Sequence, residues 1–146
     1  MRLNIQTDYA LRLMMHLAVK RDGLVSAAET ANLFGVSKSH LMKVASALVR
    51  AGYVESVRGR SGGLRLSPEG FAVSVGDVVR LMEGDLDVVE CFQKGGGECL
   101  ISPACKLRGA LHRALEAFLT VLDQYTVDDL TANNAKLFSL LDGEAA

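Results

Sequence analysis

Cys91, Cys99 and Cys105 are the three cysteines of the chain, and all fall in one short segment with the spacing Cys-x7-Cys-x5-Cys. An odd number of thiols without an export signal does not read as a disulfide framework. Three thiolates this close can hold a soft metal or an iron–sulfur cluster. Gly95-Gly96-Gly97 lies between the first two and lets the backbone fold around a bulky object. Cys105 follows Ser102-Pro103, a strong helix start. It is therefore expected in the first turn of a long helix, where the macrodipole favours the thiolate. Three other readings stay open. Inert buried cysteines would sit on an apolar stripe rather than in a polar, glycine-rich loop. A structural zinc wants four ligands, often in close Cys-x-x-Cys pairs, which this sequence lacks. A thiol-only redox switch needs no metal.

A second chemistry is written in charge. The net charge is only −1, but it is unevenly spread. Between Ser37 and Leu66 stand Lys38, Lys43, Arg50, Arg58, Arg60 and Arg65 against the single acid Glu55, leaving 10 bases against 16 acids elsewhere. One basic segment in an acidic chain is an electrostatic footprint for nucleic acid, or else a chance cluster of solvated charges.

The elements that must position these groups are mostly helices. Thr7 is a plausible N-cap, followed by Asp8 in the first turn and an apolar stripe of Ala10, Leu13, Met14 and Leu17, stopped by Gly23. Ser26-Ala27-Ala28-Glu29 is a capping-box pattern for a second helix that ends at Gly35. Ser37 caps a third, whose inner face is Leu41, Val44, Ala45 and Leu48. Two short helices joined by a tight glycine turn make a helix-turn-helix, with the third helix as its recognition helix. Tyr53–Val57 and Leu64–Leu66 read as strands around the turn Arg58-Gly59-Arg60-Ser61-Gly62-Gly63, a hairpin wing. Pro68 and Gly70 are expected to end this unit. A fourth helix starts near Ser74, carries Val75, Val78, Val79 and Met82, and stops at Gly84. A long helix from Ser102 to about Tyr125 follows, with a stripe of Leu107, Ala110, Leu111, Ala114, Leu115, Phe118, Val121 and Leu122. Such a stripe outside the compact head points to a symmetric dimer, with packing onto the head as the alternative. Thr126 caps a final short helix containing Leu130, Leu137 and Leu140, and Asp142–Ala146 are expected to fray.

The chain of 146 residues is 49% hydrophobic and 23% charged, a globular composition. No apolar run approaches the roughly 20 residues of a membrane span, and the N-terminus is not a signal peptide, so a soluble, cytoplasmic protein without a membrane partner is expected. The sequence shows no nucleophile–base pair, P-loop or dinucleotide fingerprint, so no enzyme is expected. The fold class that follows is mainly α with a small β-wing. A winged helix-turn-helix head at residues 1–72 is followed by a connecting helix and cysteine loop at 73–106, then a dimerisation helix and C-terminal helix at 107–146. Lys38, Ser39, His40 and Lys43 at the start of the recognition helix are the candidates for base and phosphate contact, and Arg58 and Arg60 for phosphates or the minor groove. Two-fold symmetry would require double-stranded DNA with a palindromic operator. His16 and His112 read as ordinary helix residues.

These motifs together resemble a known family. Thr7-Asp8-Tyr9-Ala10-Leu11-Arg12, Gly35-Val36-Ser37, Arg50-Ala51-Gly52-Tyr53-Val54, the wing, Ser102-Pro103-Ala104-Cys105, and the stretch from Phe118-Leu119-Thr120 to Asp129-Leu130 are similar to the winged-helix iron–sulfur regulators of the IscR/NsrR family. The resemblance spans nearly the whole chain. It implies a homodimeric transcriptional repressor with an iron–sulfur cluster, 4Fe-4S in preference to 2Fe-2S, held by Cys91, Cys99 and Cys105. In IscR-like members a His three residues beyond the last Cys completes the site; here that position is Arg108, which does not ligate iron. In the NsrR-like, nitric-oxide-sensing members the fourth ligand is an Asp at the start of the first helix, given by the partner subunit; the matching residue is Asp8. The alternative implied function is an IscR-like iron–sulfur or general redox-sensing regulator.

Overall fold

A computed structural model describes residues 2–95 and 97–142. Helix α1 (Ile5–Val19) begins at Asn4, whose side chain accepts the Gln6 N–H at 3.0 Å. Thr7, expected as the cap, lies one turn further in with its side chain buried. Asn caps as well as Thr does, and the Thr7 hydroxyl is engaged elsewhere, with Glu83. The stripe of Ala10, Leu13, Met14 and Leu17 is buried at the centre of the core.

Helix α2 (Ala27–Phe34) carries the full Ser26–Glu29 capping box and ends at Gly35, whose φ of 63° is the left-handed cap that glycine supplies without strain. Helix α3 (Lys38–Arg50) starts at Ser37, whose hydroxyl accepts the His40 N–H, and buries Leu41, Val44, Ala45 and Leu48 against α1. Strands β1 (Val54–Val57) and β2 (Gly63–Leu66) pair antiparallel, with Val54 opposite Leu66 and Ser56 opposite Leu64. Val25 joins the edge of this hairpin through two backbone hydrogen bonds with Leu64.

Pro68 and Gly70, expected to end this unit, stand within one more short element. Ser67 caps a short helix α4 (Pro68–Ala72), and its hydroxyl donates to the Gly52 carbonyl at 2.6 Å. Pro at the first helical position begins a helix as readily as it ends one. Helix α5 (Val75–Glu83) follows, and Gly84 leaves it at a φ of 66°. Among the described residues the cysteine segment holds two 3-10 turns, Glu90–Phe92 and Ser102–Ala104, ahead of α6. Helix α6 (Lys106–Leu122) starts later than Ser102-Pro103 suggests, because that pair spends itself on the second 3-10 turn.

Helix α7 (Val127–Thr131) has the capping box of Thr126 and Asp129. The expected single terminal helix is broken, because Asn133 sits at a φ of 53° and Asn134 caps a separate α8 (Ala135–Leu141). Backbone bonds Val75 N–H to Tyr125 O and Val127 N–H to Val73 O bring the C-terminal segment back to the head. Val127 and Leu141 are buried there, and α7 packs on α1. Of the terminus expected to fray, residues 143–146 lie outside the described residues.

One buried polar contact joins α1 to α2. His16 is 4% exposed, and its Nδ1 lies 2.9 Å from the Thr30 hydroxyl, with the ring edge-on to Phe34. Burial pushes the His16 pKa below its ordinary value, Lys20 adds to the shift, and Glu29 and Asp142 oppose it. The unfolded chain therefore takes up this proton before the folded one does. Stability should fall as pH drops below about 6.5, until the lower folded-state value is passed. Melting temperatures followed from about pH 7.5 to about pH 5 check this, and His16→Gln should flatten that part of the profile.

Candidate nucleic-acid interface and cysteine loop

The basic segment folds into one face. Lys38, Ser39, His40 and Lys43 are all exposed on the first two turns of α3. Ser37 and Ser39 hydroxyls lie 3.0 Å apart, so the helix start is stiffened by its own serines. Arg58 and Arg60 are exposed in the turn between β1 and β2. The segment's one acid is neutralised within the hairpin: Glu55 and Arg65 are register partners and meet at 2.7 Å. Among the described residues Lys38, Lys43, Arg50, Arg58 and Arg60 have no carboxylate partner. On α1 and α5 the cations Arg12 and Arg80 are paired, with Asp8 and Asp123, and Arg21 meets Asp128.

Between α3 and the wing runs an open groove of about 620 Å³. Ala45, Val49 and Leu64 are among the residues lining it, with Met42 and Ser46 along the helix and Arg50 and Arg58 at its edges. Gly62 allows the turn to close: a Cβ there would stand 2.2 Å from the Val57 carbonyl oxygen.

The three cysteines are free; Cys91 and Cys105 are half-buried and Cys99 is exposed. Cys91 sits in the first 3-10 turn and Cys105 is the N-cap of α6, one position before the first turn where it was expected. Gly95 and Gly97 have φ values of 109° and 61°, so this loop uses conformations that side chains resist. Among the described residues the thiols are not gathered into a group able to hold a metal ion. The donor set nonetheless fits a thiolate-bound cluster in chemistry: three unpaired thiols on one loop outside any α-helix or strand. Arg108 is exposed on α6, and His112 is exposed beside Glu116 at 3.4 Å.

Asp8 lies in the first turn of α1, half-exposed, and is held by the Arg12 guanidinium through contacts of 2.9 and 2.7 Å. The structure does not bring it to the cysteines of the same chain within such a group. Its neighbourhood is set by a residue the sequence reading passed over. Glu83, the last residue of α5, accepts the Asn4 N–H at 2.7 Å and the Thr7 hydroxyl. A carboxylate from across the fold thus completes the start of α1, beside Asp8 and just ahead of the cysteine loop. No local spacing signals this pair, because the partners lie 76 and 79 residues apart.

Helix α6 buries none of its residues in the single chain, and Leu107 and Val121 are 63% and 52% exposed. It is fastened at its far end, where Arg80 of α5 forks onto Asp123 at 2.6 and 2.8 Å, holding the Asp123 carboxyl below the usual carboxylate range.

Comparison with known proteins agrees with this architecture. Residues 3–133 match the Rrf2 family, described as an iron-dependent transcriptional regulator. The chain is 44% identical over 142 residues to the "HTH-type transcriptional regulator NsrR" of Bacillus subtilis, covering 97% of each. It is 45% identical to the protein of the same description from Geobacillus kaustophilus, again covering 97% of each. Among solved structures it is similar to CymR, "the Global Cysteine Regulator of B. subtilis", with a TM-score of 0.72 at 32% identity over 90% of this chain and 97% of that one. It is similar also to "T. potens IscR", with a TM-score of 0.73 at 26% identity over 93% and 90%.

The clasp at the start of α1 makes a stability prediction. Glu83→Ala leaves the buried Thr7 hydroxyl and the Asn4 N–H without their acceptor and should cost about 1–3 kcal/mol in urea unfolding. Glu83→Gln, which keeps an acceptor oxygen, should cost less. An unchanged midpoint for the alanine variant would show that the clasp adds no stability.

Proposed function

The chain belongs to the Rrf2 family of transcriptional regulators, and from that membership we propose a homodimeric, DNA-binding repressor that senses nitric oxide through an iron–sulfur cluster. The carrying observation is the charge pairing: Glu55 is spent on Arg65, so the cations of α3 and the wing are left for phosphate. In this reading residues 1–72 bind DNA, 73–106 connect and hold the cluster, and 107–146 carry the dimer helix. Lys38, Ser39, His40 and Lys43 enter the major groove of a palindromic operator, and Arg58 and Arg60 reach the flanking backbone. The uncovered stripe of α6 supports the dimer.

Cys91, Cys99 and Cys105 would hold the cluster, 4Fe-4S in preference to 2Fe-2S, with Asp8 of the partner subunit as fourth ligand. The relatives described as NsrR support the nitric-oxide reading, and Arg108 in place of an imidazole argues against the IscR-like alternative. When bound, the cluster supplies iron sites reactive toward nitric oxide. A carboxylate oxygen is a harder donor than a thiolate, so Asp8 is the ligand most easily released. Arg12, one turn further along α1, offers the freed carboxylate its bidentate pair. Asp8 would tie one head to the partner's cysteine loop when the cluster is held, and its pairing with Arg12 would leave the two heads without that tie.

Two experiments test this. Anaerobic isolation of Cys91→Ala, Cys99→Ala and Cys105→Ala should give protein without iron or acid-labile sulfide, while Asp8→Ala should stay coloured and dimeric with an altered spectrum and nitric-oxide response. Full cluster retention in a cysteine variant removes that residue from the ligand set, and a wild-type spectrum in Asp8→Ala removes Asp8. Separately, Arg58→Ala and Arg60→Ala should each lower the salt dependence of DNA binding by about one counterion. An unchanged slope in both means that the wing does not touch phosphate.

A further inference from the structure

The outward face of α3 carries, besides its cations, one large apolar side chain. Met42 is 52% exposed, and among the described residues it is the one large hydrophobic of this helix that is more than a third exposed. The other two methionines that α1 and α5 turn inward, Met14 and Met82, are buried in or packed on the core; Met42 takes no part in it. It stands next to Lys43 and one turn beyond Ser39, and it lines the groove toward the wing. Two serines on this face already have hydroxyl partners. Ser46 donates its only hydroxyl hydrogen to the Met42 carbonyl at 2.9 Å, and the Ser39 hydroxyl lies against that of Ser37. Lys38 and Lys43 are flexible point charges, better suited to phosphate than to telling one base from another.

We propose that Met42 is a specificity-determining residue that reads the C5-methyl group of thymine in the major groove. This rests on the DNA-binding reading above. The thymine methyl is the one apolar group that base pairs expose in that groove, and apolar side chains read it by contact. A thioether chain is long, unbranched and adaptable, so Met42 can reach past the serine hydroxyls to a base edge and fill an irregular gap there. Burial of the methyl against it removes apolar surface of both partners from water.

The test uses the full-length protein and a duplex that it enriches itself from a randomised pool. Each thymine of a half-site is then replaced in turn by deoxyuridine, which deletes the methyl and nothing else. Wild-type binding should weaken by about fourfold, the factor for burying one methyl-sized group, at one or two positions in each half-site. Met42→Ala should bind the thymine and deoxyuridine duplexes equally, and Met42→Leu should restore part of the discrimination. Because the side chain is outside the core, circular dichroism and melting temperature should match wild type in both variants. Binding without any thymine–deoxyuridine difference, or a difference that persists in Met42→Ala, overturns the assignment while leaving DNA recognition intact. Failure to enrich or bind any duplex overturns the DNA-binding reading as well.

Discussion

Helix α1 is packed from several sides at once, by α3, α5, α7 and strand β2, and its middle turns have no route to solvent on their inner face. Ala10, Leu13, Met14 and Leu17 leave water completely or nearly so. Each large side chain among them contributes on the order of 1.5–3 kcal/mol by that transfer. The packing is also what makes the head one body: α3 and the wing hold their mutual position because both rest on this helix. A close-packed interior transmits displacement rather than absorbing it. A pull on the first turn of α1 therefore moves the cationic face as a unit.

That first turn is where the remaining polar contacts converge. Asn4 caps it, Glu83 completes it from the end of α5, and Asp8 and Arg12 pair along it. Immediately after Glu83 the chain leaves helix at Gly84 and enters the segment with the three thiols. The loop that carries the candidate ligands is thus anchored at one end to the helix that orients the DNA-binding face. Its other end runs into Cys105, the N-cap of α6, and that helix is fastened to α5 at its opposite end by Arg80 and Asp123. Both anchors are polar and partly exposed, whereas the head they steer is apolar and dense. This is the distribution of stiffness expected where a local ligand change is to have a distant effect.

Charge follows the same division of labour. Asp8, Asp128 and Asp123 pair with Arg12, Arg21 and Arg80, while Lys38, Lys43 and Arg50 of α3 and Arg58 and Arg60 of the wing turn are unpaired among the described residues. The one exception, Glu55 with Arg65, lies inside the hairpin and stabilises the wing at its base. A near-neutral chain can in this way present a strongly positive surface, and steering by such a surface depends on local sign rather than on net charge.

Capping, turns and helix faces are written within a few residues of one another. Ser26 with Glu29, Ser37, Gly35, Thr126 with Asp129, and the stripe Leu41, Val44, Ala45 and Leu48 could therefore be read before any coordinates. So could the winged helix, the basic segment and the free cysteine trio, because each is a local pattern. Competition among partners distant in sequence decided the rest. Thr7 lost the cap to Asn4 because Glu83 engaged its hydroxyl from 76 residues away. His16, taken from its position alone as an ordinary helix residue, became a buried contact only when α2 brought Thr30 beside it. The single short helix expected after Thr126 divided at Asn133, and its first part returned to α1 through pairing with the segment ahead of α5. Local propensity sets which segments are helix or strand, since its energies act within one turn. Which polar groups meet, and what they are spared for, is set by burial, which only the assembled chain defines.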